Sequence, residues 1–191
     1  MDIQLKQISK CFVGKQLFSD LNLTFLEGQM NCLMGPSGSG KTTILNMLMG
    51  LTLPEAGIIT GLEGRKLSVV FQEDRLIEHW DALRNIRLVC GKEITQDAIL
   101  RELAAVGIDE SISKPVRDYS GGMKRRVAIV RAMLAQSDLV ILDEPFKGLD
   151  IERKKVVMDY VRNKTRGKTV ILVTHDPEEA KELGAKVVML G

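Results

Sequence analysis

Over residues 1–27, apolar and polar positions alternate, with Ile3 and Leu5 followed by Leu17, Leu21, Leu23 and Phe25. A period of two predicts short, half-buried strands, joined here by a turn near Val13-Gly14-Lys15. The pattern then changes. The runs 30–34, 67–71, 139–142, 170–173 and 187–190 are short and almost wholly apolar, as suits strands buried on both faces of a parallel sheet. Between them, apolar residues recur at helical spacing. Helices are predicted over 42–49, over 96–106 (Ile99, Leu100, Leu103 and Val106, stopped by Gly107), over 122–135 (Val127, Val130, Met133 and Leu134) and over 151–163 (Val156, Val157, Tyr160 and Val161). Strands alternating with helices define an α/β domain with a parallel sheet. The stretch 74–118 shows no strand pattern and reads as part of a helical insertion.

Composition narrows the function classes. A chain of 191 residues with 45% hydrophobic and 27% charged residues fits one ordinary globular domain. Lys and Arg number 27 against 25 Asp and Glu, a net charge of +2. That balance argues against a nucleic-acid partner. Cys11, Cys32 and Cys90 are widely spaced, matching neither a disulfide framework nor a metal site, and are expected to be reduced and mostly buried. The longest apolar candidate, 42–54, is too short to span a membrane. The N-terminus alternates rather than forming a signal peptide's apolar segment. A cytosolic location is expected.

The chemistry concentrates at strand ends. Gly35-Pro36-Ser37-Gly38-Ser39-Gly40-Lys41-Thr42 fits G-x-x-x-x-G-K-[ST], with an apolar strand before it and a helix after it. Its glycines permit close backbone approach to phosphate, and its N–H groups converge on the anion at a helix N-terminus. Lys41 supplies positive charge and Thr42 a hydroxyl for Mg²⁺. The run 139–142 ends in Asp143-Glu144, at the sheet edge where ligands bind. Asp143 is placed to hold Mg²⁺, and Glu144 to act as general base toward the attacking water. The run 170–173 ends in Thr174-His175-Asp176, one of only two histidines in the chain, and His175 is placed to hydrogen-bond the γ-phosphate or that water. His79 reads as a surface side chain.

Tyr119-Ser120-Gly121-Gly122-Met123 then opens a helix, an anion site with no evident link to the first cradle. With this motif the chain resembles the ATP-binding cassette (ABC) ATPases. The motifs occur in order: 35–42, Gln72, Ser120-Gly121-Gly122, 139–144, Gly148-Leu149-Asp150 and His175. The resemblance implies a P-loop NTPase parallel-sheet core (28–73 and 136–191), an N-terminal antiparallel β subdomain (about 1–27) and an inserted helical subdomain (about 74–135). It also implies a head-to-tail dimer, with each ATP between one chain's cradle and the other's Ser120, Gly121 and Gly122. Thr43 joins the cradle. Gln72 contacts Mg²⁺ and reports ATP occupancy, Phe12 stacks on adenine, and Asp150 lines the dimer interface.

The stretches 71–76 and Glu144-Pro145-Phe146 resemble the ATPase subunits of nitrate, sulfonate and taurine importers. The implied activity is ATP hydrolysis powering import of a small solute. The implied partners are a second cassette, a transmembrane permease docked on the helical subdomain (Leu76, Ile77 and Trp80 lining the groove) and, indirectly, an extracytoplasmic substrate-binding protein. The implied location is the cytoplasmic face of the membrane. Two rivals remain: a soluble ABC ATPase using the same dimer, and a P-loop kinase, which leaves Ser120–Gly122 unexplained. Tyr119 and Met123 depart from the signature's usual Leu and Gln, removing an amide from the partner's ribose and implying weaker dimerisation. The stop at Gly191 implies no appended regulatory domain.

Overall fold

Two sheets organise the chain. The computed structural model describes residues 1–12, 14–109 and 112–190, the side chains of Phe12 and Lys15 excepted. Strands β1 (Ile3–Phe12) and β2 (Lys15–Phe25) pair antiparallel, and β4 (Ala56–Thr60) adds to the free edge of β1 in the order β2-β1-β4. The second sheet is parallel throughout, with the order β5-β6-β7-β3-β8. Its strands are β3 (Met30–Met34), β5 (Leu67–Val70), β6 (Leu139–Asp143), β7 (Thr169–Val173) and β8 (Lys186–Met189).

The apolar runs 139–142 and 170–173 are buried on both faces, as the pattern predicted, but the edge strands are not: Val187 and Met189 on β8 and Leu67 on β5 are exposed, because an edge strand is covered less completely than a central one. On β6, Leu139 and Ile141 face a core shared with the antiparallel sheet and α1 (Lys41–Leu48). Val140 and Leu142 face the opposite core, with α3 (Gln96–Ala105), α4 (Gly121–Leu134) and α5 (Ile151–Lys164). β7 divides likewise, Ile171 and Val173 against Val170 and Leu172. Two short helices, α2 (Ala82–Arg87) and α6 (Pro177–Glu182), complete the fold.

Other features also depart from the sequence reading. The antiparallel sheet takes its third strand from Ala56–Thr60, inside the stretch assigned to the core, so it is not confined to 1–27. That strand contains Gly57 at φ +92° and is largely exposed, which erases the alternation that marks β1 and β2. The helices α2 and α6 have six residues each, too short for a periodic signal, and rest on the caps Asp81 and Asp176, which accept from Arg84 N and Glu178 N. Only Cys32 of the cysteines is buried; Cys11 is exposed and Cys90 half-buried.

Asn31, fully buried in β3, pins the turn before the parallel sheet. Its Nδ2 donates to the carbonyls of Leu26 and Gln29 at 3.0 Å each, and its Oδ1 accepts from Leu26 N at 2.8 Å. Leaving such groups unpaired costs about 1–3 kcal/mol each. Asn31→Leu is therefore expected to lower the Tm by roughly 5–15 °C, read by thermal denaturation. A shift within 2 °C would show that water replaces those bonds.

Candidate active site

Every element of the site leaves the carboxyl edge of the parallel sheet. β3 delivers the cradle at 35–42, β5 delivers Gln72, β6 delivers Asp143 and Glu144, and β7 delivers His175. A cavity of about 570 Å³ brings Ser37, Gly38, Gly40, Lys41, Thr42, Thr43, Gln72, Asp143, Glu144 and His175 together. Two further lining residues, Leu17 and Lys147, had no motif to announce them. Lys147 lies in the turn after β6, and its amide donates to the Glu144 carbonyl at 3.2 Å.

The cradle's backbone is set by glycine where side chains are excluded. Gly40 caps α1 at φ +95°, and a Cβ there would lie 2.3 Å from Phe18 Cζ. The first turn of α1 carries no acidic residue, which leaves its N–H groups and dipole free to favour an anion. The Lys41 ammonium folds back over the loop, donating to the carbonyls of Gly35 at 2.7 Å and Pro36 at 2.8 Å. Gly35 and Pro36 thus serve the site through Lys41. The Ser39 amide donates to Pro36 O at 3.2 Å, closing the turn.

Glu144 is held in a conformation that non-glycine residues rarely adopt, at φ +50°. Its amide donates to Val173 O at 2.9 Å. That bond ties β6 to β7 at their carboxyl ends and turns the side chain toward the cavity. Oε1 lies 2.7 Å from His175 Nε2 but has no hydrogen-bond partner among the described residues, so this buried oxygen keeps its acceptor capacity. Burial pushes the Glu144 carboxyl up, against the opposing pull of His175; burial does the same to Asp143. His175 itself is exposed, whereas Asp143 and Glu144 are buried.

The segment carrying Gln72 is bolted to α4. Arg125, buried on that helix, donates to Phe71 O at 2.6 Å and to Gln72 O, and its Nε lies 3.2 Å from Asp74 Oδ1. Arg131 donates to Arg75 O at 2.8 Å and Asp74 O at 3.0 Å. Nothing in the sequence singled out these two arginines.

Ser120, Gly121 and Gly122 stand apart from the cavity of their own chain. Ser120 caps α4, its Oγ accepting from Met123 N at 3.2 Å. Beside it, a Cβ on Gly122 would stand 3.5 Å from Gly148 O. Asp150 caps α5 in the same way, accepting from Arg153 N at 2.9 Å. Tyr119 is buried, and Met123 is half-buried against the core. The Phe12 side chain lies outside the described residues.

Fold and site together define an ATP-binding cassette. A family model described as "ABC transporter" matches residues 18–147. The aliphatic sulfonates import ATP-binding protein SsuB 3 of Rhodococcus jostii is 36% identical, over 98% of this chain and 70% of that protein. The spermidine/putrescine import ATP-binding protein PotA of Mesoplasma florum is 31% identical over 98% of this chain, which spans 58% of that relative's length. The dimeric structure of the ABC transporter cassette MJ0796 superposes with a TM-score of 0.85 at 28% identity, covering 98% of this chain and 94% of that one. The same cassette bound to ADP and Pi matches equally well. The chain belongs to the ABC transporter family, as one of its ATPase cassettes.

Proposed function

We propose that this chain hydrolyses ATP and powers a membrane importer of a small solute, an organic sulfonate, nitrate or a related compound. The observation that carries the hydrolytic reading is the single cavity holding Lys41, Gln72, Asp143, Glu144 and His175 at one sheet edge. The sulfonate assignment rests on the 71–76 stretch, on Glu144-Pro145-Phe146 and on likeness to a sulfonate import protein.

Each residue then has a task. The cradle amides and Lys41 bind the β- and γ-phosphates. Glu144 accepts a proton from the attacking water, and His175 fixes that water or the γ-phosphate. Phe12 stacks on adenine. Among the described residues no three His, Cys, Asp or Glu side chains group to hold a metal alone, so Mg²⁺ fits here as an ion shared with phosphate oxygens. Thr42, Gln72 and Asp143 are the residues that would hold it, and it would neutralise charge on the transferring phosphoryl group.

Ser120, Gly121 and Gly122, remote from their own cavity, face the ATP of a second copy, with Asp150 at the same interface. ATP closes that dimer by its greater affinity for the closed state. The Arg125 and Arg131 clamp makes α4 and the Gln72 segment move together. The helical subdomain, about 74–135, passes the movement to the permease, which places the chain at the cytoplasmic face of the membrane and links it indirectly to an extracytoplasmic binding protein. No helix among the described residues is long and apolar enough to cross a membrane.

The docking face extends beyond Leu76, Ile77 and Trp80. All three are half-buried, and Asn85 holds the Ile77 backbone with bonds of 2.8 and 3.1 Å. A separate cavity of about 600 Å³, lined by Leu67, Phe71, Leu88 and Val89 together with Arg131 and Gln136, offers a second apolar contact area. Leu88 is 54% and Val89 42% exposed, a pairing suited to a short amphipathic helix.

Two assays on the full chain test this reading. Phosphate from MgATP is expected to go to water; transfer to a metabolite would favour a kinase. Purification from host membranes is expected to bring down a multi-span membrane protein, and Leu88→Glu with Val89→Glu is expected to lose it while keeping ATP affinity. Recovery solely as a soluble dimer would overturn the transport assignment.

A further inference from the structure

The residues around His175 form a network that the catalytic reading leaves unused. We propose that Lys154 is a positioning residue that couples the Asp150 end of α5 to His175, so that the state of the dimer interface sets the placement of that histidine. The inference rests on the ATPase reading above and names one of its internal connections.

Lys154 belongs to the first turns of α5, and its amide donates to Asp150 O at 2.8 Å. Its ammonium crosses to another part of the chain. It lies 2.6 Å from Glu179 Oε1 on α6 and 3.2 Å from Asp176 Oδ2. Glu179 is buried, and its second oxygen accepts from Thr174 Oγ1 at 2.5 Å. Thr174 Oγ1 in turn accepts from Asp176 N at 3.1 Å. Both neighbours of His175 in the chain are thus tied, directly or through Glu179, to one ammonium. The imidazole itself is 64% exposed and gains little orientation from packing.

The arrangement is costly unless complete. A buried carboxylate needs its counter-charge and hydrogen bonds to offset desolvation. Removing Lys154 leaves Glu179 with Thr174 alone and strips the counter-charge from the Asp176 carboxylate, which keeps its capping bond from Glu178 N. The connection also reaches the other way. A Cβ on Gly122 would lie 3.5 Å from Leu149 Cδ2, so the turn before Asp150 packs against the segment proposed to serve the partner's ATP. A contiguous path therefore runs from Gly122 through Leu149, Asp150 and Lys154 to His175, from one ATP site toward the other.

The test uses the full chain and three variants: Lys154→Met, the charge-neutral double variant Lys154→Met with Glu179→Gln, and Lys154→Arg. The double variant removes the pair without stranding a buried charge, and so keeps the test open if Lys154→Met fails to fold. Both Met-containing variants are expected to lower kcat for ATP hydrolysis roughly tenfold, with KM for MgATP within about twofold. Lys154→Arg is expected to recover most of the rate. Because the chain has only two histidines, the imidazole NMR signals give an independent reading: that of His175 is expected to move in the Met-containing variants, and that of His79 to stay.

A folded double variant with wild-type kcat and an unmoved His175 signal would overturn the proposal. So would equal losses of ATP affinity and rate, which a general loosening of the fold produces, or failure of Lys154→Arg to recover the rate. A wild-type chain that releases no phosphate from MgATP would instead overturn the ATPase reading beneath it.

Discussion

Glu144→Gln is expected to lower kcat for ATP hydrolysis about 10²–10³-fold while preserving MgATP binding, because it deletes the proposed general base and keeps the side chain's size. At roughly 1.4 kcal/mol per tenfold, that is about 3–4 kcal/mol of transition-state stabilisation. The structure supplies three reasons for a large effect. The residue is strained at φ +50° in the turn leaving β6. Its buried Oε1 retains acceptor capacity beside His175. Its neighbours in the cavity, Lys41 and Thr42, carry the proposed phosphate and Mg²⁺ contacts and offer no base to replace it. The variant is also expected to accumulate as a closed ATP-bound dimer, visible as a doubled mass in size-exclusion chromatography with MgATP. A variant within threefold of wild-type turnover would remove Glu144 from the role.

The same carboxylate carries a pH signature. Burial raises its proton affinity in the folded state above that of the unfolded chain. The unfolded chain therefore releases this proton at lower pH, and Glu144 costs stability as pH rises from its ordinary value toward the folded one. Hydrolysis needs the opposite, ionised form. The acidic limb of kcat is expected at a pH above the ordinary glutamate value of about 4.3, with activity rising through it. A site that gives up stability to hold a base poised is consistent with backbone strain at the same residue.

How much of this was legible in advance divides along physical lines. The parallel sheet was readable because its central strands β6 and β7 bury both faces, so the interior of each strand, 139–142 and 170–173, is wholly apolar. The cradle was readable because phosphate binding needs glycine and lysine at fixed spacing. β4 was not, since an exposed strand with an internal glycine has no alternation to read. The roles of Arg125, Arg131 and Lys154 were hidden for another reason. Each binds backbone carbonyls or acids brought near only by the fold, and along the sequence each looks like an ordinary helix-surface charge. Ser120 to Gly122 shows the reverse case: the motif was plain in sequence, and the structure shows why it needed explaining, since it lies outside its own chain's cavity.

Lys41→Met is expected to weaken MgATP binding about 10- to 100-fold, read by isothermal titration or fluorescent-nucleotide displacement. The estimate follows from losing a charge-assisted contact to phosphate worth about 1.5–3 kcal/mol. Without nucleotide, the ammonium is satisfied by Gly35 O and Pro36 O at 2.7 and 2.8 Å, so phosphate joins an ammonium that the loop already positions. Turnover is expected to fall further than affinity, because charge on the β- and γ-phosphates grows as the terminal bond breaks. Lys41→Arg is not expected to restore it. Lys41 is 8% exposed, and a planar guanidinium needs more room than the loop interior leaves around a compact ammonium. Recovery of wild-type affinity and rate by arginine would mean that charge alone, rather than the seat formed by Gly35 and Pro36, sets the strength of this contact.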